Sequence, residues 1–135
     1  MSKKIMTIKI EILSVAEVKG ATGEILMIQF SGVTDDELFR GRVEQSGTDT
    51  QIQYYGNIRT LSARYILSGT DAKGNPCHIF IENNGVISGN QDPIKTVPKI
   101  ITDSPELAWL ETAQLSGDIE ETSEGLMVHI YAETD

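Results

Sequence analysis

The chemistry that this sequence offers lies in a few polar side chains set within apolar segments. Arg64 and Tyr65 are adjacent in residues 61–67, which are otherwise mostly apolar. Because neighbouring residues of a strand point to opposite faces, one of these two side chains faces the interior if the sheet closes on itself. A guanidinium in the interior needs a carboxylate, since an unpaired buried charge is costly, and Asp49 and Glu82 are the candidate partners. The sequence therefore predicts a barrel with a partly polar interior.

These side chains have the types needed to bind one small, partly apolar molecule that carries a carbonyl or carboxylate group. We expect Arg64 to bind the ligand oxygen, Asp49 to orient Arg64, and Tyr65 or Tyr54 to donate a hydrogen bond. Tyrosine and tryptophan also offer flat faces on which a planar ligand can stack. The candidate ligand-binding residues are thus Arg64, Tyr65, Tyr54, Asn83 and Trp109.

Each of these residues also has a purely structural interpretation. Arg64 could form a buried ion pair that fixes the register of the barrel, or it could point to solvent. Asp49 follows a turn and could accept hydrogen bonds from the turn backbone. Asn83 begins the turn-forming sequence Asn83-Asn84-Gly85, and aromatic residues most often serve core packing. The sequence alone leaves the ligand site and these structural roles as alternatives.

If the bound molecule reacts, proton transfer without a cofactor is the reaction that these residue types favour. Isomerisation or cyclisation would need one base, and Asp49 and His78 are the candidates. The sequence contains no HExxH, CxxC or GxSxG motif and no glycine-rich phosphate loop. His78 and His129 could share a zinc ion only if carboxylates surrounded them, so we predict neither a metal nor a cofactor. Whether the protein is an enzyme stays open.

The charge of the chain argues against two classes of partner. The formal net charge is -9; residues 1–100 carry 11 acidic and 11 basic side chains, whereas residues 101–135 carry 9 acidic side chains and no Lys or Arg. Nucleic acids and anionic membranes attract Lys and Arg, so we expect neither as a partner. The alternative to a ligand-binding barrel is a non-enzymatic module that self-associates as a homo-oligomer through a sheet face, with the acidic last quarter setting partner choice.

Short alternating segments separated by turns predict an all-β fold. In residues 6–13, for example, Ile8, Ile10 and Ile12 share one face. We expect about eight strands closed into an antiparallel β-barrel, with a β-sandwich as the alternative. The interior of such a barrel holds side chains or one small ligand. The predicted strand segments are residues 6–13, 24–30, 38–44, 51–55, 61–67, 77–82, 109–119 and 126–132.

The length of 135 residues is typical of one domain, so we expect a single domain over residues 1–135. Residues 86–108 contain several prolines and are predicted to be a long connection that caps the mouth of the barrel. The apolar stretches are far shorter than the roughly 20 residues of a transmembrane helix, and polar residues interrupt the segment where a signal peptide would need an apolar run. Cys77 is the only cysteine, so no intramolecular disulfide forms. We expect a cytoplasmic protein.

Four stretches in the middle and later parts of the chain form a recognisable combination. In chain order they are Gly41 with Ser46-Gly47-Thr48-Asp49, then Ala63-Arg64-Tyr65, then residues 79–85, and finally Val97-Pro98-Lys99 with Pro105 and Ala108-Trp109-Leu110. In this combination the sequence resembles the bacterial domain-of-unknown-function family 3237. The resemblance implies a small, mostly antiparallel β-barrel of cytoplasmic bacterial proteins with no established reaction.

Overall fold

The computed structural model describes residues 1–89 and 92–134, and in these ranges the chain forms nine β-strands and one short 3₁₀ helix. Nowhere in these ranges is a helix long and apolar enough to span a bilayer. In chain order the elements are β1 (Ser2–Lys19), β2 (Gly23–Asp35), β3 (Phe39–Val43), β4 (Gly47–Tyr54), β5 (Arg59–Asp71), β6 (Pro76–Ile87), β7 (Ile94–Thr102), the 3₁₀ helix (Ala108–Glu111), β8 (Leu115–Thr122) and β9 (Gly125–Glu133).

The strands form one antiparallel sheet that closes on itself. β1 pairs with β2 on one side and with β9 on the other, so the first strand joins the last. The ring runs through β1, β9, β8, β7, β6, β5, β4 and β2, and β3 shares with β4 the position between β2 and β5. The prediction of a closed antiparallel barrel of about eight strands is confirmed, although the ring is uneven rather than regular.

Alternation along each strand separates an apolar interior from a mixed outer surface. On β5, for example, Leu61, Ala63, Tyr65 and Leu67 are buried, whereas Arg64 between them is exposed. Segments outside the strands also contribute to the core, because the residues around the 3₁₀ helix fold back against it. The large side chains that are completely or almost completely buried include Phe39, Met6, Ile8, Leu67, Ile79, Ile81, Leu107, Leu110 and Ile130.

The prediction that residues 86–108 form a long connection over the mouth is wrong. β6 continues to Ile87, and β7 occupies Ile94–Thr102; residues 90 and 91 lie outside the described residues. Pro98 is accommodated in β7 because the pairing of β7 with β8 ends at Thr96, which leaves an edge where a missing N–H costs little.

The prediction of one strand over residues 109–119 is also wrong in its first half. Trp109 lies in the 3₁₀ helix, and β8 begins only at Leu115. Leu107 and Leu110 are buried in the core, so tertiary packing of these two side chains favours a compact turn over an extended strand.

β1 and β2 continue together beyond the point where β1 leaves β9. The β1–β9 pairing ends with Ile10 opposite Leu126, whereas the β1–β2 pairing continues to Lys19 opposite Glu24, with a bulge between Ile12 and Ser14. We call residues 11–19 of β1 and residues 24–31 of β2 the hairpin arm. Residues 11–19 are all exposed, so this part of β1 lies at the surface.

β3 fits beside β5 only because two glycines face each other. Gly41 lies opposite Gly69, and a Cβ atom on Gly69 would lie 1.9 Å from the carbonyl oxygen of Arg40 and 2.6 Å from the Cα atom of Gly41. Both obstacles belong to the backbone, which cannot move aside as a flexible side chain can.

Gly69→Ala is therefore expected to lower the free energy of unfolding by about 2–3 kcal/mol, because β3 must shift away from β5. Gly20→Ala is the matched control: the nearest heavy atom to its Cβ would be 3.4 Å away, and we expect a change within about 0.5 kcal/mol. Urea unfolding of the two variants measures the difference. Equal stabilities would contradict the close approach of the two strands.

Candidate functional site

A cavity lies inside the barrel, next to the place where β1 leaves β9. The space that the centre of a water molecule can occupy there measures about 70 Å³, and the cavity is partly open to solvent. Its wall is mainly aliphatic and aromatic, with three polar side chains among eleven. The lining residues are Ile10, Ile12, Ile28, Phe30, Asp49, Ala63, Tyr65, Asn83, Ile119, Leu126 and Val128.

Strand pairing brings the three polar side chains of the cavity together. Asp49 on β4 lies opposite Ala63 on β5, and Ala63 lies opposite Asn83 on β6, so the three residues form one row across the inner face. Tyr65 is the next inward residue on β5. Because Ala63 ends at its methyl group, the wall between Asp49 and Asn83 is recessed, and both side chains border the same space.

The Asp49 carboxyl group is only half satisfied. Its Oδ2 atom accepts a hydrogen bond of 3.0 Å from Gln51 Nε2, while its Oδ1 atom is buried without a partner among the described residues. Burial raises the pKa of Asp49, and the hydrogen bond from Gln51 and the nearby backbone amide of Ser62 offset only part of this rise. Asp49 is therefore an acid–base group whose neutral form is favoured by its surroundings.

Tyr65 contributes a second polar atom without a partner. Its ring stands edge-on to Phe30 with 5.2 Å between ring centroids, and its hydroxyl group is buried without a hydrogen-bond partner in the described chain. Burial raises the pKa of Tyr65, so the hydroxyl keeps its proton and stays a donor. Gly47 lies against the Phe30 ring and the start of the Tyr65 side chain: a Cβ atom there would be 2.5 Å from Phe30 Cζ and 2.7 Å from Tyr65 Cβ.

Asn83 supplies the third polar atom without a hydrogen-bond partner among the described residues. Its side chain is only 1% exposed, and its Oδ1 atom is buried with no partner in the part of the chain that is described. The turn role expected for Asn83 is wrong, because the residue lies inside β6 with partners on both neighbouring strands. A buried polar atom without a hydrogen bond is unusual in a folded protein, and three such atoms border this one cavity.

The prediction that Arg64 faces the interior is wrong. Its side chain is 65% exposed, and its Nε atom lies 2.9 Å from Glu82 Oε2 on the outer surface. Of the two candidate partners, Glu82 is the one that binds Arg64, and Asp49 does not orient it. The reason is strand alternation: Tyr65 takes the inner face of β5, so Arg64 must take the outer face.

Three other candidate residues also lie away from the cavity. Tyr54 is 62% exposed at the end of β4, and Trp109 is 44% exposed on the 3₁₀ helix. His78 is on the outer surface, where its Nδ1 atom lies 2.8 Å from Asp103 Oδ2. The hydrogen bond that the imidazole donates to this carboxylate raises the pKa of His78. Only Asp49, Tyr65 and Asn83 of the candidate set line the cavity.

Within residues 1–89 and 92–134, no group of three or more His, Cys, Asp or Glu side chains is arranged to hold a metal ion. The two histidines lie in separate surroundings. His129 points to the outer face of the sheet, where neighbouring side chains cover it. Its Nδ1 atom lies 3.0 Å from Thr7 Oγ1 and its Nε2 atom lies 2.9 Å from Glu120 Oε1. This pair of contacts occupies both ring nitrogens of His129.

Sequence reasoning missed the apolar half of the site and an inward arginine. Ile10, Ile12, Ile28 and Phe30 line the cavity, and their alternation in the sequence was the signal that could have placed them there. Arg59 shares the inner face of β5 with Leu61, Ala63 and Tyr65, and it forms an ion pair with Glu24. Residue parity along β5 would have identified Arg59, rather than Arg64, as the inward arginine.

Comparisons with known proteins give one family and a set of similar structures. Residues 3–132 match the family described as protein of unknown function DUF3237. A protein of unknown function from Clostridium acetobutylicum ATCC 824 has a similar structure, with 23% sequence identity, a TM-score of 0.83 and 99% of each chain covered. A β-barrel-like protein from Acinetobacter baumannii AYE shares 18% identity, with a TM-score of 0.71, 98% of this chain and 96% of that chain.

A fungal protein has a similar structure as well. It is described as an enzyme from Penicillium herquei, and it shares 13% identity with a TM-score of 0.76 over 98% of this chain and 92% of that chain. At these identities the likenesses show the fold alone. No curated protein matches the sequence.

The raised pKa of Asp49 has a consequence for stability. Because the folded state holds the Asp49 proton more tightly than the unfolded chain, stability falls as the pH rises above the ordinary value of 3.8. Asp49→Asn removes this penalty, so the variant is expected to be more stable than the wild type at neutral pH, and the gain should disappear in acid. Unfolding free energies measured from acid to neutral pH test this, with the exposed Glu11→Gln as the control. Parallel curves for Asp49→Asn and the wild type would contradict it.

Proposed function

The chain belongs to the DUF3237 family of proteins of unknown function, and we propose that its barrel interior binds a small, neutral, largely apolar molecule through a carbonyl or hydroxyl group. The observation that carries the proposal is a cluster of three buried polar atoms beside an apolar cavity: Asp49 Oδ1, Tyr65 Oη and Asn83 Oδ1, none of which has a hydrogen-bond partner among the described residues. The fold alone does not identify a function, because one fold hosts many activities.

The three polar atoms suit the oxygen-bearing group of such a ligand, and the apolar wall suits its hydrocarbon part. A buried polar atom without a hydrogen bond costs about 1–3 kcal/mol, and a ligand that supplies the missing partners recovers this energy on binding. The Tyr65 hydroxyl can donate to a carbonyl or hydroxyl oxygen. Oxygen atoms of Asp49 and Asn83 can accept from a hydroxyl group. The apolar wall then binds the hydrocarbon part of the molecule.

The charge of the cavity favours a neutral molecule over the carboxylate that the sequence suggested. No Lys or Arg is among the residues that line the cavity, and Arg64 lies on the outer surface. Arg59, the arginine on the inner face, is paired with Glu24 and does not line the cavity. An anionic ligand would therefore find no cation in the cavity and would meet the Asp49 carboxyl group. Burying a charge without a partner is unfavourable, so a carboxylate is expected to bind poorly.

The size of the cavity limits the part of the ligand that it encloses. Its volume of about 70 Å³ is about half that of an engineered apolar cavity of about 150 Å³ that holds benzene. The enclosed part is therefore a small ring or a short chain. A larger molecule would extend through the open side, towards the hairpin arm.

Matched small probes test the proposal. Cyclopentanone and cyclopentanol are expected to raise the melting temperature, by about 4–6 °C at tenfold excess over Kd, whereas cyclopentanecarboxylate is expected to have little effect. Tyr65→Phe should weaken binding about tenfold through the lost hydrogen bond. Tyr54→Phe and Arg64→Gln, both outside the cavity, are controls and should bind as the wild type does. Binding that is unchanged in Tyr65→Phe, or equal for the carboxylate, would refute the proposal.

Proton transfer on the bound carbonyl compound is a second candidate function, favoured by the raised pKa of Asp49. In its ionised form Asp49 takes a proton from the carbon beside the carbonyl group. The electron pair moves to the carbonyl oxygen, where the Tyr65 hydroxyl stabilises it, and the proton then returns to the same or another carbon. Isomerisation through an enol follows this course. In a cyclisation the enolate carbon instead attacks a second carbonyl carbon of the same molecule, and the oxygen that receives the displaced electron pair takes the proton. Neither route needs an oxidant or reductant. The similar structure from Penicillium herquei shows only that an enzyme has this fold.

Hydrogen exchange separates this chemistry from binding. In D₂O the wild type is expected to exchange the α-hydrogens of cyclopentanone faster than buffer does, as followed by proton NMR. Asp49→Asn should remove the added rate, a loss of at least about a hundredfold for a general base, while the ketone still raises its melting temperature. Equal exchange by the wild type and Asp49→Asn would exclude Asp49 as the base and leave the binding proposal standing.

A further inference from the structure

The hairpin arm exposes a free strand edge. Beyond Ile10, β1 pairs with β2 on one side, and among the described residues no strand pairs with its other side. A strand edge with unpaired N–H and C=O groups and exposed apolar side chains is a template for another strand. The exposed apolar side chains along this edge are Ile12, Leu13, Val15 and Val18.

We propose that the end of this edge, residues 17–19 of β1, pairs with the same residues of a second copy of the chain, antiparallel and about a two-fold axis at Val18. Because β1 ends at Lys19, strand pairing about this axis extends no further. The charge pattern supports a second copy as the occupant. Glu17 and Lys19 flank Val18 and share one face of β1, so antiparallel pairing about Val18 brings each Glu17 opposite the partner's Lys19. An axis one residue earlier would instead bring two Glu17 carboxylates face to face.

The outer face of the arm supports the same axis. Val18 lies opposite Ile25 on β2, and Ile25 lies opposite Ile52 on β4, so the three form an apolar row across the sheet. Val18 is 68% exposed and Ile25 is 41% exposed. Pairing about Val18 joins this row to its copy, with Val18 against Val18 at the centre and six apolar side chains in line.

The row also suits a chain of strong negative charge. Two molecules of net charge -9 repel each other least where the contact itself carries no net charge, and Val18 with one Glu17 and one Lys19 from each copy provides such an edge. The paired segment is short, so the interface falls at the small end of specific interfaces. A reversible dimer that dissociates on dilution is therefore expected.

Sedimentation velocity over about 10–500 µM protein tests the dimer, since a small interface corresponds to micromolar affinity or weaker. The wild type is expected to shift from monomer to dimer across this range. Val18→Asp places two carboxylates at the axis and should leave only monomer. Val33→Asp is the matched control. Val33 is also an exposed apolar residue of the outer face, but it lies between two paired strands, opposite Lys9 on β1 and Arg42 on β3. The Val33→Asp variant should dimerise as the wild type does.

A charge exchange tests the register. Glu17→Lys and Lys19→Glu should each weaken self-association at least about tenfold, because like charges then face each other across the axis. An equimolar mixture of the two variants should form a heterodimer, since every Glu again faces a Lys. The double variant Glu17→Lys/Lys19→Glu should recover the homodimer. Circular dichroism confirms that each variant is folded.

Three outcomes would overturn the proposal. The first is a wild type that stays monomeric at every concentration. The second is a dimer that Val18→Asp leaves intact, because another surface would then hold it. The third is a failure of the charge-exchanged pair to associate, which would exclude the antiparallel register about Val18.

Discussion

The pairing of β4 with β5 is the constraint on which the rest of the site depends. It sets Asp49 opposite Ala63, and the continuation to β6 sets Ala63 opposite Asn83. In a closed sheet every side chain is committed to the inside or the outside, and a slip of one residue exchanges the two sets. Such a slip would bring Arg64 into the barrel and expel Tyr65. The hydrocarbon packing of β5 opposes it, because Leu61 and Leu67 would leave the core as well.

The interior combines a core that stabilises the fold with a small region that does not. Ile79, Ile81 and Leu67 are completely buried, and each such side chain stabilises the folded state by about 1.5–3 kcal/mol. Asp49 and Asn83, with Tyr65 beside them, leave polar atoms without partners at a cost of similar size. Apolar residues at these positions would give a more stable barrel, which is why the polar group is better explained by binding than by folding.

The sequence contained enough to derive the architecture but not the orientation of every strand. Alternating isoleucines in β1 and β2 and the turn residues between segments lead directly to an antiparallel barrel, because period-two patterns have few other solutions. Asp49 and Tyr65, which the sequence predicts as site residues, both line the cavity. Arg64 was misplaced because both faces of β5 look plausible in isolation, and the deciding neighbours, Asp49 and Asn83, come from other strands. Long-range register cannot be obtained from a local pattern.

The wrong predictions for residues 86–119 have a related cause. Pro98 suggested a loop, yet it lies within β7 at a point where β8 has already separated. The segment that begins at Trp109 alternates like a strand, but the chain turns there because Leu107 and Leu110 are both buried in the core. In both segments a neighbouring element, rather than the local sequence, determines the backbone.

Gly47 affects how the cavity could change in related barrels. Gly47 leaves room for Phe30 and Tyr65, since one added methyl group would collide with the Phe30 ring and with Tyr65 Cβ. The dimensions of the chamber therefore depend on a position that contributes no side chain to it. A lineage that acquired alanine or serine there would have to tilt the tyrosine, and with it the hydroxyl group, to a new place. A single codon can thus change the shape of this cavity without altering the identity of any residue that lines it.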